Sequence, residues 1–147
     1  MSDIVSASEQ KSIFLDIKDW LAKIVDSNIN ISVADMSADN SLSIVPAKGV
    51  KRYKEYTCGG DEIYLPFSIY YRGIVDDDDT SSDMLDLLDT IGYKLENNGH
   101  TDIPKLELSS GRELLDAYQE LTAVKFRQAG KTGEFTASYV IIYSRDE

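Results

Sequence analysis

Residues 62–75 read Glu-Ile-Tyr-Leu-Pro-Phe-Ser-Ile-Tyr-Tyr-Arg-Gly-Ile-Val, and this stretch decides the fold. Ile63, Leu65, Phe67, Ile69 and Tyr71 fall on one side of a two-residue period. Tyr64, Ser68, Tyr70 and Arg72 fall on the other. Such alternation predicts a long strand with one face in a core. Pro66 interrupts the run and has no N–H for a ladder, which predicts a strand that lies at a sheet edge or carries a bulge.

Downstream, four aspartates, Asp76, Asp77, Asp78 and Asp79, make an acidic turn into a second helix, roughly Ser81 to Asn97. Met84, Leu87, Leu88, Ile91 and Leu95 form its apolar stripe. Asp83, Asp86 and Asp89 come early, where the helix dipole favours anions, and Asn98-Gly99 closes it. Ile103 to Leu108 predicts a short strand, with Pro104 marking an edge. Ser109 to Glu120 admits an irregular loop or a short helix through Leu114, Leu115 and Tyr118. A final hairpin joins Leu121 to Gln128 with Glu134 to Ser144 through Gly130-Lys131-Thr132-Gly133, and Phe135, Ala137, Tyr139, Ile141 and Tyr143 share a face.

Upstream, Ser41 to Val45 and Val50 to Thr57 predict a hairpin turning around Pro46 and Gly49, and Cys58-Gly59-Gly60-Asp61 is a turn. Ile29, Ile31 and Val33 suggest a short strand before a polar loop, Asp35 to Ser41. Ser8 to Asp26 predicts the first helix, with Ile13, Phe14, Ile17, Trp20, Leu21, Ile24 and Val25 as its stripe and Ser8 in its cap region. The chain, 1–147, reads as a single α+β domain, a mainly antiparallel sheet with two amphipathic helices packed on one face.

The 26 acidic and 15 basic side chains give a formal net charge of −11. Such a surface repels nucleic-acid phosphates and anionic membranes, so neither is an expected partner. One cysteine cannot close an internal disulfide and suits a reducing cytoplasm. Met1 to Lys11 lacks the pattern of a signal peptide, and no apolar run approaches the ~18 residues of a membrane span. A cytosolic protein is expected.

Groups for covalent chemistry are few. His100 and Cys58 are the only histidine and cysteine, too few for a zinc site or an activated thiol pair. Asp76 to Asp79 offers clustered carboxylates, but lacks the alternating ligands and central glycine of a calcium loop, and reads as a solvated turn. Asp61 and Glu62 lack a converging second element. Gly130-Lys131-Thr132 lacks the upstream glycine of a phosphate loop, since Lys125 holds that place. No enzymatic activity, metal or cofactor is expected.

Surface features say more. Lys48, Lys51, Arg52 and Lys54 fall within seven positions of an acidic chain. They read either as a basic patch for an acidic partner or as an edge hairpin kept from aggregating by charge. Nine tyrosines are many, and Tyr53, Tyr56, Tyr64, Tyr70 and Tyr71 crowd the central region. Interface enrichment and plain β-propensity both account for them. An aromatic outer face on the long strand wants a cover. The candidate interface comprises Lys48, Lys51, Arg52, Lys54, Tyr64, Tyr70, Arg72 and Asp76 to Asp79, the basic hairpin of one copy meeting the acidic turn of the next.

The succession of a first helix with Trp20, a hairpin, the run Tyr64-Leu65-Pro66-Phe67-Ser68-Ile69-Tyr70-Tyr71-Arg72-Gly73, an acidic turn, a second helix and a closing Tyr139-Val140-Ile141-Ile142-Tyr143 resembles the minor capsid and tail terminator proteins of tailed phages and phage-tail-like particles. The resemblance covers the order of elements along nearly the whole chain. It implies a homo-oligomer, a hexameric ring, that caps the finished tail tube and offers a surface to head-completion proteins. It also implies a place in the virion, at the head-proximal end of the tail, after assembly in the host cytoplasm. An acidic immunity-type module that masks a basic partner is the alternative, and a hydrolase is weaker still for want of a nucleophile and base.

Overall fold

A computed structural model describes residues 6–26, 28–33, 41–46, 52–55, 61–75 and 78–145, with only the backbone of 52–55, 61 and 78–80. The chain runs α1 (Ala7–Ile24), β1 (Asn30–Val33), β2 (Ser41–Pro46), β3 (Arg52–Glu55), β4 (Asp61–Ile74), α2 (Asp78–Glu96), β5 (Arg112–Ala129) and β6 (Thr132–Arg145). The strands form one sheet in the order β1-β2-β4-β6-β5, with β3 also paired to β4. Among the described residues only β1 and β2 run parallel; the other pairs are antiparallel. This is the α+β architecture that the alternation and helix stripes anticipate.

The predicted strand from Glu62 to Val75 is β4, but its place in the sheet is central rather than peripheral. It pairs along its whole length with β6, from Asp61↔Arg145 to Ile74↔Thr132. Its other side carries β2 opposite residues 67–72 and β3 opposite residues 61–64. Both short strands run antiparallel to β4, so they lie end to end along one edge and do not pair as the expected hairpin. Neither is long enough to match β4 alone, and Leu65 and Pro66 fall at the junction. The proline thus sits in a central strand where that side of the ladder changes from one partner to the next. The connection through Gly49 and the turn at Cys58 lie outside the described residues.

The core forms on the face of Ile63, Leu65, Phe67, Ile69 and Tyr71, joined by Phe135, Ala137, Tyr139, Ile141 and Tyr143, all buried. Both helices cover this face. From α1 come Ile13, Phe14, Ile17, Trp20 and Leu21, and from α2 come Met84, Leu88, Ile91 and Leu95. Phe67 stacks on Tyr139 at 5.5 Å and meets Phe14 at 6.1 Å. Buried phenols need partners. Tyr139 donates to the Leu88 carbonyl at 2.7 Å, and Tyr143 donates to Glu9, which also pairs with Arg145. Burial therefore pushes both phenols well above their ordinary range, and Glu9 adds to the effect at Tyr143.

Three predicted boundaries move for local reasons. Ser6, not Ser8, caps α1: its hydroxyl accepts the Glu9 N–H at 3.2 Å. The second helix starts at Asp78, so Asp78 and Asp79 belong to its first turn rather than to a turn before it. The final hairpin turns through two residues, Gly130 and Lys131, between the paired Ala129 and Thr132; Gly130 has φ +60°, a conformation glycine adopts without strain. Ile103 to Leu108 is no strand. Its polar groups go elsewhere: Pro104 C=O accepts the Trp20 indole N–H at 2.8 Å, and the Leu106 N–H donates to Asn98 Oδ1 at 3.2 Å. Residues 112–120, expected as loop or helix, belong to β5.

Candidate functional site

The sheet face opposite the helices carries the sequence-predicted side chains that the structure describes. Tyr64, Tyr70 and Arg72 alternate with the core positions of β4 and are half-buried. Arg72 pairs in register with Ser41 on β2 and Glu134 on β6. Arg52 stands opposite Tyr64 and Lys54 opposite Glu62. Asp78 and Asp79 open α2 at the far end of β4 from β3. Lys48, Lys51, Asp76 and Asp77 lie outside the described residues.

The aromatic outer face has a cover, and this same chain supplies it. Phe126 of β5 reaches across β6 to Tyr70, ring to ring at 5.5 Å. Glu120 of β5 accepts the Tyr64 hydroxyl at 2.8 Å. Tyr118 also hydrogen-bonds Tyr64, and this bond, with Glu120 behind it, raises the Tyr64 phenol above its ordinary range. Between them, Val140 and Pro66 are buried on that face. Small residues on this face close further gaps: Ser32 with Ser43 at 3.0 Å, and Ser68 with Ser138 at 3.2 Å. Tyr64 and Tyr70 are thus held by their own fold and are not the most available surface.

That surface is β5. It forms one edge of the sheet, and Leu121 (61% exposed), Val124 (50%), Phe126 (49%) and Leu115 (48%) stand out from it. Four of the seven exposed large apolar residues among the described ones lie on this strand. A long edge with apolar side chains is a template for another chain. Its register to β6 slips at four places, between residues 114 and 116, 119 and 121, 121 and 124, and 125 and 127. Each slip turns side chains from one face to the other, which is why so many apolar groups point outward.

Helix α2 holds the bulged backbone. Glu96 accepts the Gln119 N–H at 3.1 Å, and Asp89 Oδ1 accepts the Ala123 N–H at 3.1 Å and the Gln119 side-chain amide at 2.8 Å. Asp116 accepts the Ala117 N–H at 2.8 Å. Carboxylates thus occupy donors that the disturbed ladder leaves over. Gly92 permits the fit: a Cβ there would lie 2.0 Å from Gln119 Oε1 and 2.9 Å from Gln119 Cβ. Charge divides along the strand. Glu113, Asp116 and Glu120 are exposed on its first half, and Lys125 and Arg127 on its second.

Sequence reading missed this edge because Leu121 to Gln128 was expected only as a hairpin arm. The available signal was length: a regular 14-residue β6 behind a two-residue turn demands a partner reaching back to about residue 116, and the four register slips carry it on to Arg112.

Among the described residues, no helix is long and apolar enough to cross a membrane, and no three His, Cys, Asp or Glu side chains gather where they could hold a metal ion. No protein-family model matches the sequence, and comparison with curated proteins gives no significant match.

Proposed function

We propose that this protein is a structural subunit that works by association, on the pattern of the phage tail terminators its element order resembles. In this reading it caps a tail tube as a ring of its own copies and offers a joining surface to head-completion proteins. The observation that carries the association is the β5 edge, where Leu115, Leu121, Val124 and Phe126 stand exposed on a body whose two central strands bury their apolar faces completely. Apolar side chains gathered on an edge favour a subunit contact over open solvent.

The test is assembly on tubes. Purified chain is mixed with tail tubes lacking their terminal cap and viewed by negative stain, with light scattering of the chain alone beside it. Capped tube ends are the expected outcome, and Leu121→Ser with Phe126→Ser abolishes them. A chain that leaves tubes uncapped, stays monomeric and binds a basic protein instead would replace this reading with that of an acidic masking module.

A further inference from the structure

We propose that in the free protein two copies join along β5, edge to edge and antiparallel, with the acidic half of each strand against the basic half of the other. The proposal rests on reading β5 as the assembly edge and names its partner: a second copy of this chain.

Charge carries the argument. Glu113, Asp116 and Glu120 outweigh the partly buried Arg112 in the first half of an 18-residue strand, and Lys125 and Arg127 are the charges of the second. The three acids and the two bases of the second half are exposed. Arg127 has a loose ion pair of 3.6 Å with Glu134 and leaves 70% of its side chain in solvent. A parallel arrangement sets like charges together, whereas an antiparallel one sets every half against its opposite. Such a contact is isologous, so one strand supplies both complementary patches. The two-fold axis then passes near Leu121 and Thr122, which places the exposed Leu121 and Val124 of both copies at the centre and the charges towards the rim. The carboxylates of Asp89 and Glu96 already hold the Ala123 and Gln119 N–H groups. Side chains therefore make most of the contact, and the ladder does not continue unbroken between copies.

A two-fold pair is closed and cannot itself grow into a ring. The pair is thus the form of the free chain, and capping a tube exchanges this contact for another along the same edge.

The test uses full-length chain in sedimentation equilibrium. The variant Lys125→Glu/Arg127→Glu leaves Arg112 as the one basic residue of the strand, and Glu113→Lys/Asp116→Lys makes it mostly basic; circular dichroism confirms that each is folded. Wild type is expected to dimerise, more weakly at high salt, and each variant alone to dimerise at least ~tenfold more weakly. Mixing the two restores a mixed dimer. In a Cys58→Ser background, Thr122→Cys is expected to form a disulfide-linked dimer rapidly, and Gln128→Cys slowly. Wild-type association in both variants, or a mixture that stays monomeric, overturns the pairing. Loss of association in the acidic variant alone means a head-to-tail contact and overturns the two-fold while leaving assembly intact. A monomeric wild type that still caps tubes sinks this inference without touching the proposed function.

Discussion

Strands β4 and β5 sit one strand apart in the same sheet and obey different rules. The ladder between β4 and β6 is unbroken over 14 pairs, and its inner face is buried from Ile63 to Tyr71 and from Phe135 to Tyr143. β5 pairs with the same β6, yet slips register four times and buries only Ala117. The first is a core element whose sequence is set by packing. The second keeps its place through α2 carboxylates and leaves its apolar groups to solvent. Burial on one face enforces a strict period, because a one-residue slip would turn the whole core outward. A strand at the rim is free of that constraint and can be shaped for contact.

Changes on the two strands are therefore expected to separate cleanly. The largest effect belongs to the centre: Tyr139→Ala removes a fully buried ring stacked on Phe67, and is expected to cost about 3–5 kcal/mol in urea unfolding. A loss below about 1 kcal/mol would mean that the ring is not a core element.

Next come the ties between helix and strand. Gly92→Ala brings a methyl against Gln119. The gain in helix propensity, about 1 kcal/mol, is expected to lose against an overpacking cost of about 1–3 kcal/mol. Hydrogen exchange at the Gln119 and Ala123 amides should quicken more than at β4 amides; equal quickening would contradict the separate anchoring of β5.

The buried phenols give a pH signature. Tyr139 and Tyr143 have raised values in the folded state, so their contribution is complete below the ordinary tyrosine value of about 10 and is lost as pH climbs from there towards their folded-state values. Urea midpoints are expected to fall steeply above about pH 10. Tyr143→Phe is expected to soften that fall while costing about 1 kcal/mol at neutral pH through the lost bond to Glu9. An alkaline limb identical to wild type would show that Tyr143 does not set it.

The smallest effect on stability belongs to the rim. Leu121→Ser and Val124→Ser are expected to leave unfolding within about 0.5 kcal/mol of wild type while weakening association. A large loss of stability in the monomer would make these residues part of the core after all.

How much was legible follows the same division. The alternation from Ile63 to Tyr71 and from Phe135 to Tyr143 reports two buried faces, and the stripes of α1 and α2 report the layer that covers them. Strand neighbours were less legible: periodicity tells that Ser41–Pro46 and Arg52–Glu55 are extended, but not that both lie along one side of β4. Pro66 misled because a strand central in the sheet can still change partners at one point. Residues 112–120 gave no clean period, since bulges reset the phase within a few residues. Of the candidate interface, Tyr64 and Tyr70 were rightly placed on the outer face, while their engagement by Glu120 and Phe126 depends on contacts across β6 that no local pattern carries.

The claim that function resides in the β5 edge meets its most direct test in hydrogen exchange of the intact protein, free at a concentration too low for pairing and bound to capless tail tubes. Slower exchange at residues 112–129 on assembly, with β4 and β6 unchanged, is the expected result. Unaltered exchange along this strand in tubes that are demonstrably capped would contradict it.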